Sequence, residues 1–336
     1  LLALTIVPAV ISLMDDAKLK RRLFQKGDAH SGPLYRLLGS IGNIAFSRAR
    51  TILFLGLAAF AFGSAGLWQI EVNDNPVKWF KQSHPLRQAD TVMNELFGGT
   101  YMAYLVADAK TAGAIKQPEV VAYIDRLQQY LEADPLIGKT SSVADIVKRI
   151  NLVLHDNDKT YDKVPDSSEA VGQFLFLFQS SGDPNDLDNF IDREERQANI
   201  WIQMKGGDNR QMQDVESRLD AFVQANAPPA GLSLRLSGLT YINKVWQDLM
   251  VTGMLKAVLG SFIVVFLLML IQFRSLTFGV LAMVPLSGSI VLTYGLVGWL
   301  GMDYNMPIAV CAALTLGLGI DFAVHFLQRF KAHVAE

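Results

Sequence analysis

A single cysteine, Cys311, sits in an apolar stretch near the C-terminal end, so no disulfide framework can staple the chain. Histidine is scarce as well. His84, His155, His325 and His333 do not cluster and none stands at zinc-ligand spacing, so no metal and no other cofactor is expected. There is no Walker-type phosphate loop, which argues against nucleotide-driven work. No catalytic motif emerges, the chain is not expected to be an enzyme, and nothing in it points to a nucleic-acid partner. Charge is the other shortage: 18% of the 336 residues are charged against 51% hydrophobic, with a mean hydropathy of +0.24. That is too apolar for an ordinary soluble protein, yet long polar stretches are present, so the apolar excess must be concentrated in membrane spans.

What charge there is has an uneven distribution. Residues 71–250 hold 18 Lys and Arg against 26 Asp and Glu, leaving 12 against 6 elsewhere, so an acidic middle is flanked by basic ends. The sequence opens inside an apolar run, 1–14, too short for a complete span and expected to be the end of one in a longer protein. Residues 15–50 follow with eight Lys and Arg against three Asp, which by the positive-inside rule makes them a cytoplasmic linker. Leu34, Leu37, Leu38, Ile41 and Ile44 recur there at the spacing of an amphipathic helix. Residues 51–70 read as a span with Arg48 and Arg50 inside and Trp68 near the outer interface. Spans are expected again at 248–272, 276–300 and 306–328, with 329–336 cytoplasmic, and every short-loop charge agrees with one orientation.

Between the first complete span and the next, 71–247 reads as a large extracytoplasmic α+β domain. Residues 100–107 alternate as a strand, and Pro118 opens a helix with Val120, Ile124, Leu127 and Leu131 on one face. A short strand is expected at 136–141, with capping boxes at Ser142-Val143-Ala144-Asp145 and Asp166-Ser167-Ser168-Glu169. Residues 198–205 alternate with Ile200, Ile202 and Met204 inward, a helix carries Met212, Val215, Leu219 and Phe222, and Leu232, Leu234 and Leu236 mark a last strand. The order β-α-β, a helical insertion at about 142–181, then β-α-β is the split βαβ pattern of a ferredoxin-like sandwich. Within the insertion Phe174, Phe176 and Phe178 form part of a run that is apolar on all sides. It reads either as a core helix or as an apolar wall along a substrate path.

The stretch Gly317-Leu318-Gly319-Ile320-Asp321-Phe322-Ala323-Val324-His325-Phe326 places a carboxylate and an imidazole in an otherwise apolar segment. Four residues apart, they lie about 40° from one another around a helix. Stepping back by fours gives Gly317, Ala313 and Ala309, and together with Gly319 these small residues let another helix approach. Asp321 reads as a proton-relay residue or as one that reaches water near a helix end. For His325 the two roles are more evenly matched.

The pattern of a span, a large external domain and spans joined by a Phe-Arg-Ser turn, ending in that Gly-Leu-Gly-Ile-Asp-Phe-Ala-Val-His-Phe stretch, resembles the resistance-nodulation-division (RND) superfamily, most of all its MMPL-type exporters. The segment Val72-Asn73-Asp74-Asn75-Pro76-Val77-Lys78-Trp79-Phe80, with Phe97-Gly98-Gly99-Thr100 after it, is similar to the start of that family's external domain. The resemblance implies a polytopic α-helical protein of the inner membrane with a porter-type domain, exporting hydrophobic or lipid-like molecules on the proton gradient. It implies the remainder of the same transporter as a partner, namely a first repeat and the eleventh and twelfth spans, and allows a homo-oligomer. Asp321 matches the relay aspartate, while Phe322 stands where Tyr is frequent, which raises interest in His325. Two other classes stay open: a SecD/SecF-like secretion factor, and a sterol-sensing-like lipid binder that does not pump.

Overall fold

The computed structural model describes residues 33–335, with the backbone alone for 33–36, 38, 184, 312–323, 334 and 335. The expected span end at 1–14 and the basic cluster at 18–22 lie outside the described residues. The chain divides into two units, 1–62 and 63–336. The described part of the first holds helix α1 (Pro33–Ser47) and most of α2 (Ala49–Leu67). Leu37, Ile41 and Ile44 are all exposed on α1, and their spacing puts them on one face, as an interfacial helix requires.

The second unit begins with the last turn of α2 and contains the α+β domain. In chain order come α3 (Pro85–Leu96), β1 (Tyr101–Ala109), α4 (Pro118–Glu132), β2 (Ile137–Ser141), α5 (Val143–Leu154), α6 (Ser168–Ser181), β3 (Gln197–Met204), α7 (Asn209–Ala225) and β4 (Leu232–Ser237). The sheet has the order β2-β3-β1-β4, and every neighbouring pair is antiparallel. That is the order of a split βαβ sandwich, with α5 and α6 inserted where a hairpin would join β2 to β3. Period-two alternation sends Ala103, Leu105 and Ala107 of β1 and Ile200, Ile202 and Met204 of β3 into the core. The apolar stripes of α4 (Val120, Ile124, Leu127, Leu131) and α7 (Met212, Val215, Leu219, Phe222) belong to the same core, each large side chain contributing on the order of 1.5–3 kcal/mol.

Local signals set the element ends. The Ser142 hydroxyl accepts from Ala144 N at 3.0 Å and Asp145 Oδ2 accepts from Ser142 N at 2.8 Å, a closed capping box. The second expected box does not form, because the third residue of α6 is Ala170, which has no side-chain acceptor to return a bond. Ser167, not Asp166, caps α6, its hydroxyl accepting from Ala170 N at 3.1 Å, because only from the residue adjoining the first helical position does a side chain reach the third amide.

Three long helices complete the chain: α8 (Leu239–Phe273), α9 (Leu276–Trp299) and α10 (Met306–Ala335). Among the described residues α2, α8 and α9 are long and apolar enough to cross a bilayer. At 1.5 Å per residue the 35 residues of α8 extend about 52 Å, against about 30 Å of hydrocarbon, so α8 projects well beyond a membrane. Its projecting end reaches the sheet, where Thr240 Oγ1 donates to the carbonyl of Met102 at 2.8 Å.

Candidate relay helix and membrane–domain junction

The helix that carries Asp321 is started by Asn305, whose side chain accepts from Ile308 N at 3.2 Å. Near its C-terminal end Val324 and Leu327 pack against Met269 and Phe273 of α8 and Ala282 of α9. Lys331 Nζ donates to the carbonyl of Phe273 at 3.3 Å, so a cation closes the C-terminal end of α8, where carbonyls lack helical partners. Ala309 is buried and His325 is exposed. The two lie on one row of four-residue steps, and each step turns about 40° around the helix, which carries the row from the packed side to the open one. The side chains of Ala313, Gly317, Gly319, Asp321 and Phe322 lie outside the described residues.

Glycines bring the last turn of α2 into backbone contact with α9. A Cβ added at Gly66 would stand 2.1 Å from the carbonyl oxygen of Gly295, and one at Gly298 would stand 1.9 Å from that of Gly66. No side chain fits at such distances, so the approach exists only because these positions are glycine. Gly288, on the same helix, faces open space.

Where α2 ends, residues 71–80 tie the loop between α9 and α10 to the α+β domain. Tyr304 N donates to the carbonyl of Glu71 at 2.8 Å, and Asn73 N donates to the carbonyl of Tyr304 at 3.3 Å. Asn73 Nδ2 donates to Asp303 at 3.0 Å. Two residues on, Asn75 Nδ2 donates to Asp208 Oδ1 at 2.9 Å and to the Tyr101 hydroxyl at 3.2 Å, while Lys78 pairs with the other oxygen of Asp208. Asp208 is also the residue before α7, where Gln211 Oε1 accepts from its backbone N at 3.2 Å, so one residue joins the helix start, the ammonium of Lys78 and the segment that follows α2. Burial pushes the Asp74 carboxyl above the usual carboxylate range; the hydrogen bond from Trp79 pulls it back and the charge of Asp303 pushes it further. Burial likewise pushes Tyr101 up to about 12, keeping its hydroxyl protonated.

The aromatic run on α6 is divided between environments. Val171 and Leu175 enter the core and Phe174 packs against it, whereas Phe176 is 71% exposed and Leu177 is also exposed. The sequence places the candidate relay pair on α10 but did not identify the junction; three consecutive polar residues, 73–75, directly before Pro76 were the available signal.

These features define a membrane protein built from long apolar helices and an α+β domain. The chain belongs to the MMPL family of the RND superfamily, whose family model matches residues 80–336. It is 22% identical over 298 residues, 85% of this chain and 72% of the relative, to a candidate membrane protein, MJ1562, of Methanocaldococcus jannaschii. It is 30% identical over 119 residues to protein dispatched homolog 1 of Mus musculus, a match that covers 34% of this chain and 8% of the mouse protein.

Proposed function

We propose that this chain is part of a proton-motive-force-driven transporter of the inner membrane that exports hydrophobic or amphiphilic, lipid-like molecules, with residues 71–247 on the outer side. In this reading Asp321 takes and releases the coupled proton, assisted by His325. Gly317, Gly319 and Ala313 allow α10 to shift against its neighbours, and Phe174, Phe176 and Phe178 line part of the cargo path. A carboxylate among apolar helices is poorly solvated, so its charge state alters which helix packing is favoured.

The observation that carries the proposal is mechanical continuity. α8 is one unbroken helix from Leu239 beside the sheet to Phe273, where α10 packs against it. At the other end of α10, Asp303 and Tyr304 are hydrogen-bonded to Glu71 and Asn73. A displacement of α10 within the membrane therefore bears on the α+β domain through both of its ends.

The test is gradient-driven export of a fluorescent lipid analogue from vesicles containing the full-length protein. Cysteines introduced singly at Lys20 and Asp183 provide the orientation control and should label from opposite sides. Movement that ignores an imposed pH gradient, or labelling of both sites from one side, contradicts the proposal.

A further inference from the structure

We infer that residues 71–75 and 303–304 form a proton-operated latch, in which protonation of the carboxyls Asp74 and Asp303 tightens the link between the α+β domain and the start of α10. The two segments meet as a parallel bridge of Val72 with Tyr304. It is held by Tyr304 N on the carbonyl of Glu71 at 2.8 Å and by Asn73 N on the carbonyl of Tyr304 at 3.3 Å. Asp303 and Tyr304 lie directly before Asn305, whose side chain starts α10. On the domain side Asn75 is fastened to Asp208 and Tyr101. Asp74 stands between the two anchors, Asn73 and Asn75, so its charge bears on both attachments.

Asp74 is 7% exposed, and its Oδ1 accepts from Trp79 Nε1 at 2.7 Å. Among the described residues neither Asp74 nor Asp303 is ion-paired with a lysine, arginine or histidine, and the cations of the junction, Lys78 and Arg210, are held by Asp208 and Glu71. The charge set against Asp74 is that of Asp303, so the two ionised groups repel across the bridge. The phenols of Tyr101 and Tyr304, on the segments bonded to Asn75 and Asn73, are raised by burial and stay neutral.

Asn73 supplies an independent sign that a proton belongs here. Its Nδ2 donates to Asp303 Oδ2 at 3.0 Å, yet Oδ1 of the same amide has no partner, although the residue is only 8% exposed. A buried acceptor without a donor is costly. An ionised carboxylate accepts only, whereas a protonated carboxyl carries an O–H. With a proton, Asp303 returns a hydrogen bond to Asn73 Oδ1, and amide and acid close into a ring of two bonds. A proton on Asp74 instead ends the repulsion across the bridge. Both tighten the latch, and the two carboxyls act as a pair. Asp74 is raised above its ordinary value, with burial the largest cause, so the closed latch holds the proton more firmly than an opened one. This contribution is fully present below the ordinary carboxylate value and is lost as pH rises through the raised one. The inference rests on the proposed export only for the source of the protons, the outer compartment, and adds a regulation to it: an acidic exterior clamps the start of α10 to the domain.

The experiment is amide hydrogen exchange on the purified full-length protein in detergent, resolved to single residues at about pH 4 and about pH 7 and expressed as protection factors, which removes the intrinsic pH dependence of exchange. The amides of Asn73 and Tyr304 should be protected about tenfold more at the lower pH, the factor given by one pKa unit of differential proton binding, while amides of β1 change little. Asp303→Asn sets an amide against an amide and reproduces both bonds of the ring without a proton, and Asp74→Asn removes the buried charge. In both variants protection should be high at either pH. Unfolding midpoints identify a variant that fails to fold, and the other then decides. Wild-type protection that is the same at both pH values, or that changes only together with β1, overturns the inference, as does a folded variant that keeps the full wild-type response. Neither transport nor a pH gradient enters this readout, so its failure is distinguishable from failure of the export proposal.

Discussion

Asn75 Nδ2 donates to Asp208 Oδ1 at 2.9 Å in a buried hydrogen bond between residues 133 positions apart. It joins the segment that leaves the membrane after α2 to the first turn of α7. Removing the donor leaves an oxygen of a buried carboxylate without its partner, at a cost of about 1–3 kcal/mol. Asn75→Ala should therefore lower the stability of the α+β domain by that amount in denaturant unfolding, and an unchanged midpoint would show the bond to be dispensable.

Asp74 gives the junction a pH dependence of determinate sign. Its carboxyl is raised above the ordinary value of 3.8, with burial the largest cause, so the folded state binds that proton more readily than the unfolded chain does. The stability this provides is fully present below the unfolded value and is lost as pH rises through the folded one. Asp74→Asn keeps an acceptor for Trp79 Nε1, now at 2.7 Å, and removes the buried charge. The variant should melt above the wild type at pH 7 and match it near pH 3.5. A lower midpoint at pH 7 would reverse the sign of this account.

Gly298 tests the helix contact. Because an added Cβ would stand 1.9 Å from the backbone of Gly66, Gly298→Ala should force the helices apart at about 1–3 kcal/mol. Gly288→Ala, in open space, should be close to neutral. Equal effects of the two in a folding assay would contradict the close approach.

The contrast between those two glycines marks how far sequence reaches in this protein. Helix and strand faces were legible because burial repeats with the period of the element, as in Val120, Ile124, Leu127 and Leu131 or Ile200, Ile202 and Met204. Which glycine touches another backbone depends on a helix two hundred residues away, and no local pattern records it. The same holds for the junction, where Asn73 meets Asp303 across 230 positions. On α6 the run 174–178 is apolar on every side, so its outward face became visible only once Val171 and Leu175 were seen in the core. For the candidate relay, the ionisable pair Asp321 and His325 stood out in the sequence from its apolar setting. The exposure of His325 was not, because it depends on which faces of α10 meet α8 and α9.

Phe176 gives a direct test of that outward face. At 71% exposure, Phe176→Asp should change domain stability by no more than about 0.5 kcal/mol, as surface substitutions do, while reducing export if the run lines the cargo path. Leu175→Asp, which buries an unpaired charge, should instead unfold the domain. Loss of folding in Phe176→Asp would make the run structural.

Asp321 carries the central claim, that a carboxylate in an apolar helix couples proton movement to export. The measurement is transport by the Asp321→Asn protein, full-length and reconstituted in vesicles under an imposed pH gradient, beside His325→Ala and wild type at matched reconstituted amounts. The account predicts that Asp321→Asn abolishes gradient-driven transport while expression and assembly stay near normal, and that His325→Ala impairs it in part. Transport by Asp321→Asn at near the wild-type rate would show that the coupling site lies elsewhere.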